Sequence, residues 1–343
     1  MIQEISIKNF KQFREFRLDK VTPITIIGGK NNIGKTTLLE ALYMFYDRAN
    51  PEVTLKHIRW RGINLIDLSP DGLWAPIFHS YDMQKEVVIS IKDDNTPEKL
   101  VIKHNAEFNR VIKTTPLDGT PSTSFPTESL DFNYFLDGKS SGDAHCIIDG
   151  QQLGIHVNNV KPSKKNITYI SSCTQRNPNE DAIRFGKLDI DGRVQELVDG
   201  LQLIEPRLKS LSSISHGNHS LIYGDLGIGK KMPLSLMGEG TAKLLTIMLA
   251  IATSGIVLID EIENGVHYSI HPKFWQLLVT VSKRYECQLF LTTHSYEIIK
   301  SLKEQDDEYL SYIRLDRKNG EVLPKKYDAE MLFSAIERDW EIR

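Results

Sequence analysis

Apolar positions fall into two rhythms along this chain. At the start, Ile5-Ser6-Ile7-Lys8-Asn9-Phe10 alternates with a period of two, and the alternation resumes through Phe16 and Leu18, which predicts a strand and a short hairpin. Ile24-Thr25-Ile26-Ile27 predicts a buried strand, and residues 36 to about 48 predict a helix. From 51 to about 84 no rhythm dominates, with turns expected at Trp60-Arg61-Gly62 and Ser69-Pro70-Asp71-Gly72. Period two returns at Glu86. Val87-Val88-Ile89-Ser90-Ile91 and Leu100-Val101-Ile102-Lys103 read as paired strands around the turn Asp93-Asp94-Asn95-Thr96-Pro97. Residues 114–126, rich in Thr, Ser, Pro and Gly, read as an exposed loop. Cys146-Ile147-Ile148 and Gly154-Ile155-His156-Val157 continue the β pattern, and Ile167-Thr168-Tyr169-Ile170-Ser171 predicts a further buried strand.

The second half turns helical. Val194, Leu197, Val198, Leu201 and Ile204 predict one helix over about 191–211, kinked at Pro206. Then follow a short strand at Ser220-Leu221-Ile222-Tyr223, a helix over 240–252, and an apolar strand at Gly255-Ile256-Val257-Leu258-Ile259. A helix over 274–285, the strand Gln288-Leu289-Phe290-Leu291-Thr292, a last strand at Tyr312-Ile313-Arg314-Leu315 and a closing helix over 328–340, N-capped by Asp328, complete the pattern. Strands alternating with helices at both ends predict an α/β fold with a mostly parallel sheet flanked by helices. The central β-rich stretch predicts an antiparallel lobe inserted into it. The whole chain, 1–343, is expected to form one domain: a β-rich lobe over about 86–170, a helical region over about 190–252, and a closing segment over 253–343.

Composition narrows the class. The net charge of −3 gives no general attraction to nucleic acid, so DNA binding would need a local basic patch. Lys56, His57, Arg59 and Arg61 form one such cluster, and Lys161, Lys164 and Lys165 another. Cys146, Cys173 and Cys287 are far apart and suggest neither a disulfide framework nor a zinc site. The opening residues do not read as a signal peptide, and no apolar run approaches the ~20 residues of a membrane helix. A cytoplasmic location is expected.

The chemistry sits in four short segments. Gly29-Lys30-Asn31-Asn32-Ile33-Gly34-Lys35-Thr36 fits G-x-x-x-x-G-K-[ST] between a strand and a helix. Its glycines let successive backbone N–H groups face phosphates, Lys35 can reach the terminal phosphates, and the Thr36 hydroxyl can ligate Mg²⁺, with Thr37 beginning the helix beyond. Asp260 and Glu261 end an apolar strand, where ligands bind in open α/β sheets. Asp260 suits a Mg²⁺ ligand, and Glu261 suits the group that polarises an attacking water. His294, ending the next apolar strand, can sense a γ-phosphate. Pro233 to Gly240 is a Gly-containing turn that opens a helix, ready for an anion.

Taken in order, these residues resemble the ABC-type ATPase heads of the RecF/SMC group, and within it the OLD-like ATPases. The resemblance runs over nearly the whole chain. Asn9-Phe10-Lys11-Gln12-Phe13 resembles the group's N-F-[KR]-x-[FY] element, and Asn31 falls at the Asn of its G-x-N-x-x-G-K-[ST] loop. Ser235 to Gly240 resembles the signature that meets the nucleotide of a second protomer. Asp260-Glu261-Ile262-Glu263-Asn264-Gly265-Val266-His267 looks like the D-E-x-E-N-G-x-H run of OLD-like proteins, and His294 matches the switch histidine. Tyr327-Asp328-Ala329-Glu330 and Glu341-Ile342-Arg343 resemble the ends of short OLD-like subunits. Gln175 is the best match to the Q-loop glutamine. One departure stands out: aligned on Gly238-Glu239, the signature's usual serine falls on Leu236, so either Ser235 shifts into its role or backbone amides act alone.

The resemblance implies an ABC-type P-loop ATPase head that binds ATP and Mg²⁺. It implies a homodimer in which Ser235, Gly238 and Glu239 of one chain complete the site holding ATP on the other. No heptad run suggests long arms. The segment of about fifty residues after His294 is short for the TOPRIM nuclease domain of full-length OLD proteins. The expected function is therefore an ATP-driven switch that regulates a separately encoded effector, a nuclease or toxin in anti-phage defence. The alternative is a RecF-like DNA-binding ATPase in repair, and a third reading is an assembly that ATP merely locks.

Overall fold

The computed structural model describes residues 1–48, 50, 53–63, 67–111, 124–149, 152–174, 177–217, 219–304, 308–338 and 342. The chain divides into two compact units. The first comprises Met1–Lys20, Glu40–Lys164 and Arg317–Leu323; the second comprises Val21–Leu39, Lys165–Asp316 and Pro324–Arg343.

The chain opens with β1 (Ile2–Phe10) and β2 (Phe13–Asp19), followed by β3 (Ile24–Gly29), α1 (Lys35–Tyr46) and α2 (Val53–Arg59). Then come β4 (Val87–Asp93), β5 (Thr96–Val111), β6 (Ser124–Leu136), β7 (Lys139–Asp149) and β8 (Gln152–Asn158). In the first unit, seven strands form one sheet in the order β2-β1-β4-β5-β6-β7-β8, with every pairing antiparallel. The period-two pattern supplies its buried face: Ile5 and Ile7, Ile89 and Ile91, Leu100 and Ile102, Leu130 and Phe132 are all buried. The turn between β4 and β5 is tighter than the sequence suggested. Only Asp94 and Asn95 lie outside the strands, both with positive φ (47° and 63°), the geometry of a two-residue hairpin loop. The loop expected over 114–126 ends early, because β6 starts at Ser124; residues 114–123 lie outside the described residues.

The cluster Lys56, His57, Arg59 and Arg61 does not form a free basic face. Lys56 Nζ donates to Asp47 Oδ2 at 2.9 Å and to the Tyr43 hydroxyl at 2.8 Å. Arg61 makes a two-pronged pair with Glu40, Nε to Oε1 at 2.9 Å and Nη2 to Oε2 at 3.0 Å. His57 is buried, and that burial pushes its imidazole pKa well below the ordinary value. Lys11 Nζ donates to the same Glu40 carboxylate at 2.8 Å, so Glu40 is a buried anion held by two cations. Two of the four cluster residues, Lys56 in α2 and Arg61 just beyond it, thus face the unit's own carboxylates.

The second half of the chain runs β9 (Ile167–Ile170), α3 (Pro178–Ile190), α4 (Val194–Leu201), β10 (Ser210–His216), β11 (His219–Asp225) and β12 (Met232–Pro233). After these come α5 (Glu239–Thr253), β13 (Ile256–Ile259), α6 (His271–Tyr285), β14 (Gln288–Thr292), α7 (Tyr296–Lys300), β15 (Leu310–Lys318), β16 (Glu321–Tyr327) and α8 (Ala329–Glu337). Six strands form a sheet in the order β16-β15-β3-β14-β13-β9. The pairs β15–β3, β3–β14, β14–β13 and β13–β9 are parallel, as the alternation of strands and helices required. Strands β3, β13 and β14 are buried along their whole length, which explains their unbroken apolar runs. A second, three-stranded sheet is ordered β10-β11-β12.

Three expectations for this half are corrected. The single kinked helix over 191–211 is the short α4, preceded by a separate α3 whose N-cap, Asn177, accepts from the amides of Asn179 and Glu180. Gly192, at φ 69°, breaks the two helices apart, and the residues around Pro206 turn into β10 rather than bending a helix. β9 is only half-buried, because it is an edge strand with one neighbour. The strand at 312–315 is not the last: Asn319-Gly320, both at positive φ, turns β15 into its hairpin partner β16. Asp328 does cap the final helix, accepting from the Met331 amide at 2.7 Å.

Candidate nucleotide-binding site

All the groups below belong to the second unit. β3 delivers its chain into the loop 29–34 and α1 leaves it. Gly29 (φ 131°) and Gly34 (φ 110°) hold backbone conformations that side chains rarely adopt, and between them Asn32 is also left-handed. Lys30, Asn31 and Asn32 are exposed, Ile33 anchors the loop by its buried side chain, and Thr37 is buried in α1. Lys35 Nζ arches over the loop and donates to the carbonyls of Gly29 (2.8 Å) and Lys30 (3.0 Å). Partial burial lowers its pKa, while the carboxylates of Asp260, Glu261 and Glu263 pull the other way. The loop therefore presents backbone amides, a helix N-terminus and one cation, a set suited to phosphate.

Asp260 lies just beyond β13 and is buried. The Thr36 hydroxyl sits 3.2 Å from each of its carboxylate oxygens. Thr292, at the end of β14, donates to Oδ1 at 2.5 Å, and Ser172, just after β9, donates to Oδ2 at 3.3 Å. Burial raises the Asp260 pKa and these hydroxyl donors oppose the rise. Three strands thus end, and α1 begins, around one carboxylate. Thr36 and Asp260 offer hard oxygen donors side by side, which is the chemistry Mg²⁺ selects.

Glu261 is held by its backbone as much as by its side chain. Its φ of 51° is left-handed, unusual for a non-glycine residue. Its amide donates to Thr292 Oγ1 at 2.9 Å, and its carbonyl accepts from Lys243 Nζ at 2.8 Å. Asn264 Nδ2 donates to Glu261 Oε2 at 2.9 Å. Across from it, His294 is fixed by Glu263, whose Oε1 accepts from the His294 amide at 2.9 Å and lies 3.1 Å from Nδ1. His294 Nδ1 is also 3.9 Å from Glu261 Oε1.

The signature-like segment forms a short 3₁₀ turn, Leu234–Leu236, and then α5, which opens at Gly238 with φ 127°. Ser235, Gly238 and Glu239 are exposed, as is Leu236 at 71%. Ser235 and Glu239 help line a cavity of about 460 Å³ that also meets Ser172, Lys243 and Asn264. Gln175 lies outside the described residues.

Thr292, Ser172, Lys243, Glu263 and Asn264 escaped the assignment of roles from sequence. Thr292 carried a signal, a hydroxyl ending the apolar strand beside Asp260. Glu263 and Asn264 stood inside a recognised run without roles. Lys243 had a subtler mark, a cation in an otherwise apolar helix. Ser172 had none.

A phosphate-binding loop and a buried acid converge at the C-terminal edge of a mostly parallel sheet, and the chain also carries an antiparallel sheet whose strands β1 and β2 precede the loop and whose strands β4 to β8 lie between loop and signature. This is the architecture of an ABC-type P-loop ATPase head. The chain belongs to the family described as "AAA domain, putative AbiEii toxin, Type IV TA system", which matches residues 24–300, and it is an ATPase. A Helicobacter pylori protein named ATP/GTP phosphatase is 26% identical over 369 residues, covering 97% of each chain. An uncharacterized Methanocaldococcus jannaschii protein is 27% identical over 243 residues, covering 65% of this chain and 95% of its own. Among solved structures, an SMC head bound to the C-terminal winged-helix domain of ScpA superposes with a TM-score of 0.59 at 12% identity, covering 97% of this chain and 99% of its own. The Smc head of Pyrococcus furiosus, with an extended coiled coil and bound to the C-terminal domain of ScpA, gives 0.56 at 11% identity, covering 98% and 99%. Among the described residues, no helix is long and apolar enough to cross a membrane.

Proposed function

We propose that this chain is an OLD-like, Mg²⁺-dependent ATPase subunit that closes as a homodimer around ATP and regulates a separately encoded effector, a nuclease or toxin of anti-phage defence. The observation that carries the ATPase chemistry is the approach of the Thr36 hydroxyl to both oxygens of buried Asp260. Those two residues would hold Mg²⁺, which neutralises charge on the phosphates. The loop amides and Lys35 bind and orient the phosphates. Glu261 accepts a hydrogen bond from the attacking water and polarises it, while His294, steadied by Glu263, contacts the γ-phosphate. Ser235, Gly238 and Glu239, exposed in and just after the turn that leads into α5, would meet the nucleotide of a second copy. On this reading the two units act as one ATPase head.

The effector role draws its support from the family description, which names a toxin–antitoxin system, and from the OLD-like run 260–267. The repair-clamp reading draws less, because Lys56 and Arg61 are engaged in ion pairs and His57 is buried. Glu261→Gln tests the site. It is expected to bind ATP, lose turnover and accumulate an ATP-dependent dimer by light scattering; turnover at the wild-type rate would remove Glu261 from its role. Co-purification of a partner encoded beside the gene, with ATPase indifferent to DNA, supports the effector reading. Stimulation by duplex DNA that fades with salt would overturn it in favour of the clamp.

A further inference from the structure

Lys243 is a buried cation in an apolar helix, within the second turn of α5. A positive charge near a helix N-terminus opposes the macrodipole, and burying it costs more, so its place calls for compensation from acceptors. Among its acceptors are two backbone carbonyls, Glu261 O at 2.8 Å and Ile262 O at 3.3 Å. They belong to a stretch of the site whose backbone is strained, since Glu261 stands at φ 51°. On the other side of the same residue, Thr292 receives the Glu261 amide. The peptide groups flanking the Glu261 side chain are thus clamped, one from β14 and one from α5.

A second contact ties the same elements together. A Cβ on Gly240 would come within 2.2 Å of Gly265 O, so the first turn of α5 packs backbone-to-backbone on the loop after β13. The turn at Gly238 and the carboxylate of Glu261 are therefore joined through α5 by a close backbone approach and a cation.

We propose that Lys243 is a positioning residue for Glu261: it sets the backbone conformation that aims the carboxylate, and it does so from the helix that carries the signature turn. This rests on Glu261 acting as the group that polarises water.

The test compares Lys243→Met, which keeps the stem and removes the donors, with Lys243→Arg, which restores a cation. Turnover number, affinity for a non-hydrolysable ATP analogue and melting temperature are measured for both, with Glu261→Gln alongside. The expected result for Lys243→Met is a kcat lower by about 10- to 100-fold with analogue affinity within about twofold of wild type, the loss that a misaimed group produces. Lys243→Arg is expected to recover most of that kcat. A Lys243→Met enzyme with wild-type kcat overturns the proposal. So does loss of analogue affinity in step with kcat in both variants, which would mark Lys243 as a general support of the fold. If Glu261→Gln itself turns over normally, the underlying reading fails; if Glu261→Gln is dead while Lys243→Met is fully active, only the role of Lys243 fails.

Discussion

Replacing Thr292 with valine would remove one oxygen and almost no volume. That oxygen donates to Asp260 Oδ1 at 2.5 Å and accepts from the Glu261 amide at 2.9 Å, and the residue is fully buried. Losing a hydrogen bond to a charged group costs about 1.5–3 kcal/mol, and leaving a buried N–H unsatisfied about 1–3 kcal/mol. The extra methyl of valine recovers part of this, since it replaces a polar group in an apolar strand. A net loss of about 2–4 kcal/mol follows, which for a unit of this size lowers Tm on the order of 5–10 °C. The effect on activity has a separate origin. With its amide released, Glu261 can relax from φ 51°, and kcat is expected to fall roughly 10- to 100-fold with ATP affinity little changed. Thermal unfolding and steady-state ATPase assays on Thr292→Val and Thr292→Ser separate the hydroxyl from the methyl. The serine variant should keep most of both properties. A valine variant as stable and active as wild type would refute the claim that this hydroxyl organises the two acids.

Three further outcomes are expected. Asn264→Ala removes the donor to Glu261 Oε2, so kcat should drop while the Kd for an ATP analogue holds; a rise in Kd of similar size would point to a different role. Glu40→Gln leaves Lys11 and Arg61 facing a neutral partner and should cost about 3–5 kcal/mol in urea unfolding, as breaking a buried ion pair does. Burial pushes the Lys11 ammonium down to about 8 from its ordinary 10.5, against the pull of Glu40. Between those values the unfolded chain binds the extra proton, so the contribution of Lys11 to stability rises with pH across that window. The stability difference between wild type and Lys11→Met should therefore shift in favour of wild type as pH climbs through it; a flat difference in denaturant midpoints would show that Lys11 titrates normally.

The parts of the site carried by consecutive residues were legible in the sequence. Gly29 to Thr36 and the run ending in Asp260-Glu261 announce their chemistry locally, and the buried parallel strands announce themselves by length and apolar content. What could not be read is what tertiary structure assembles. Thr292 and Ser172 meet Asp260 only because β14 and β9 flank β13. The basic cluster in and just after α2 reads as a surface because sequence proximity says nothing about the carboxylates opposite. The helix predicted over 191–211 followed a true apolar period but ignored Gly192, whose positive φ resets the chain. β16 was missed although Asn319-Gly320 is a strong hairpin signal, because its alternation is weak: only Val322 and Tyr327 are buried in it.

The neighbours of β3 also determine when the site can first exist during synthesis. β3 is made early, yet it pairs with β14 and β15, its Ile24 lying opposite Leu289 and Leu310. At 5–20 residues per second, the ribosome takes on the order of tens of seconds to cover the intervening stretch of about 265 residues. Throughout that interval the phosphate-binding loop hangs from a strand with neither neighbour yet made, and Asp260 emerges before Thr292 can hold it. The nascent chain is thus unable to use ATP until β14 has emerged, and a truncated product ending before it would carry the loop without the switch.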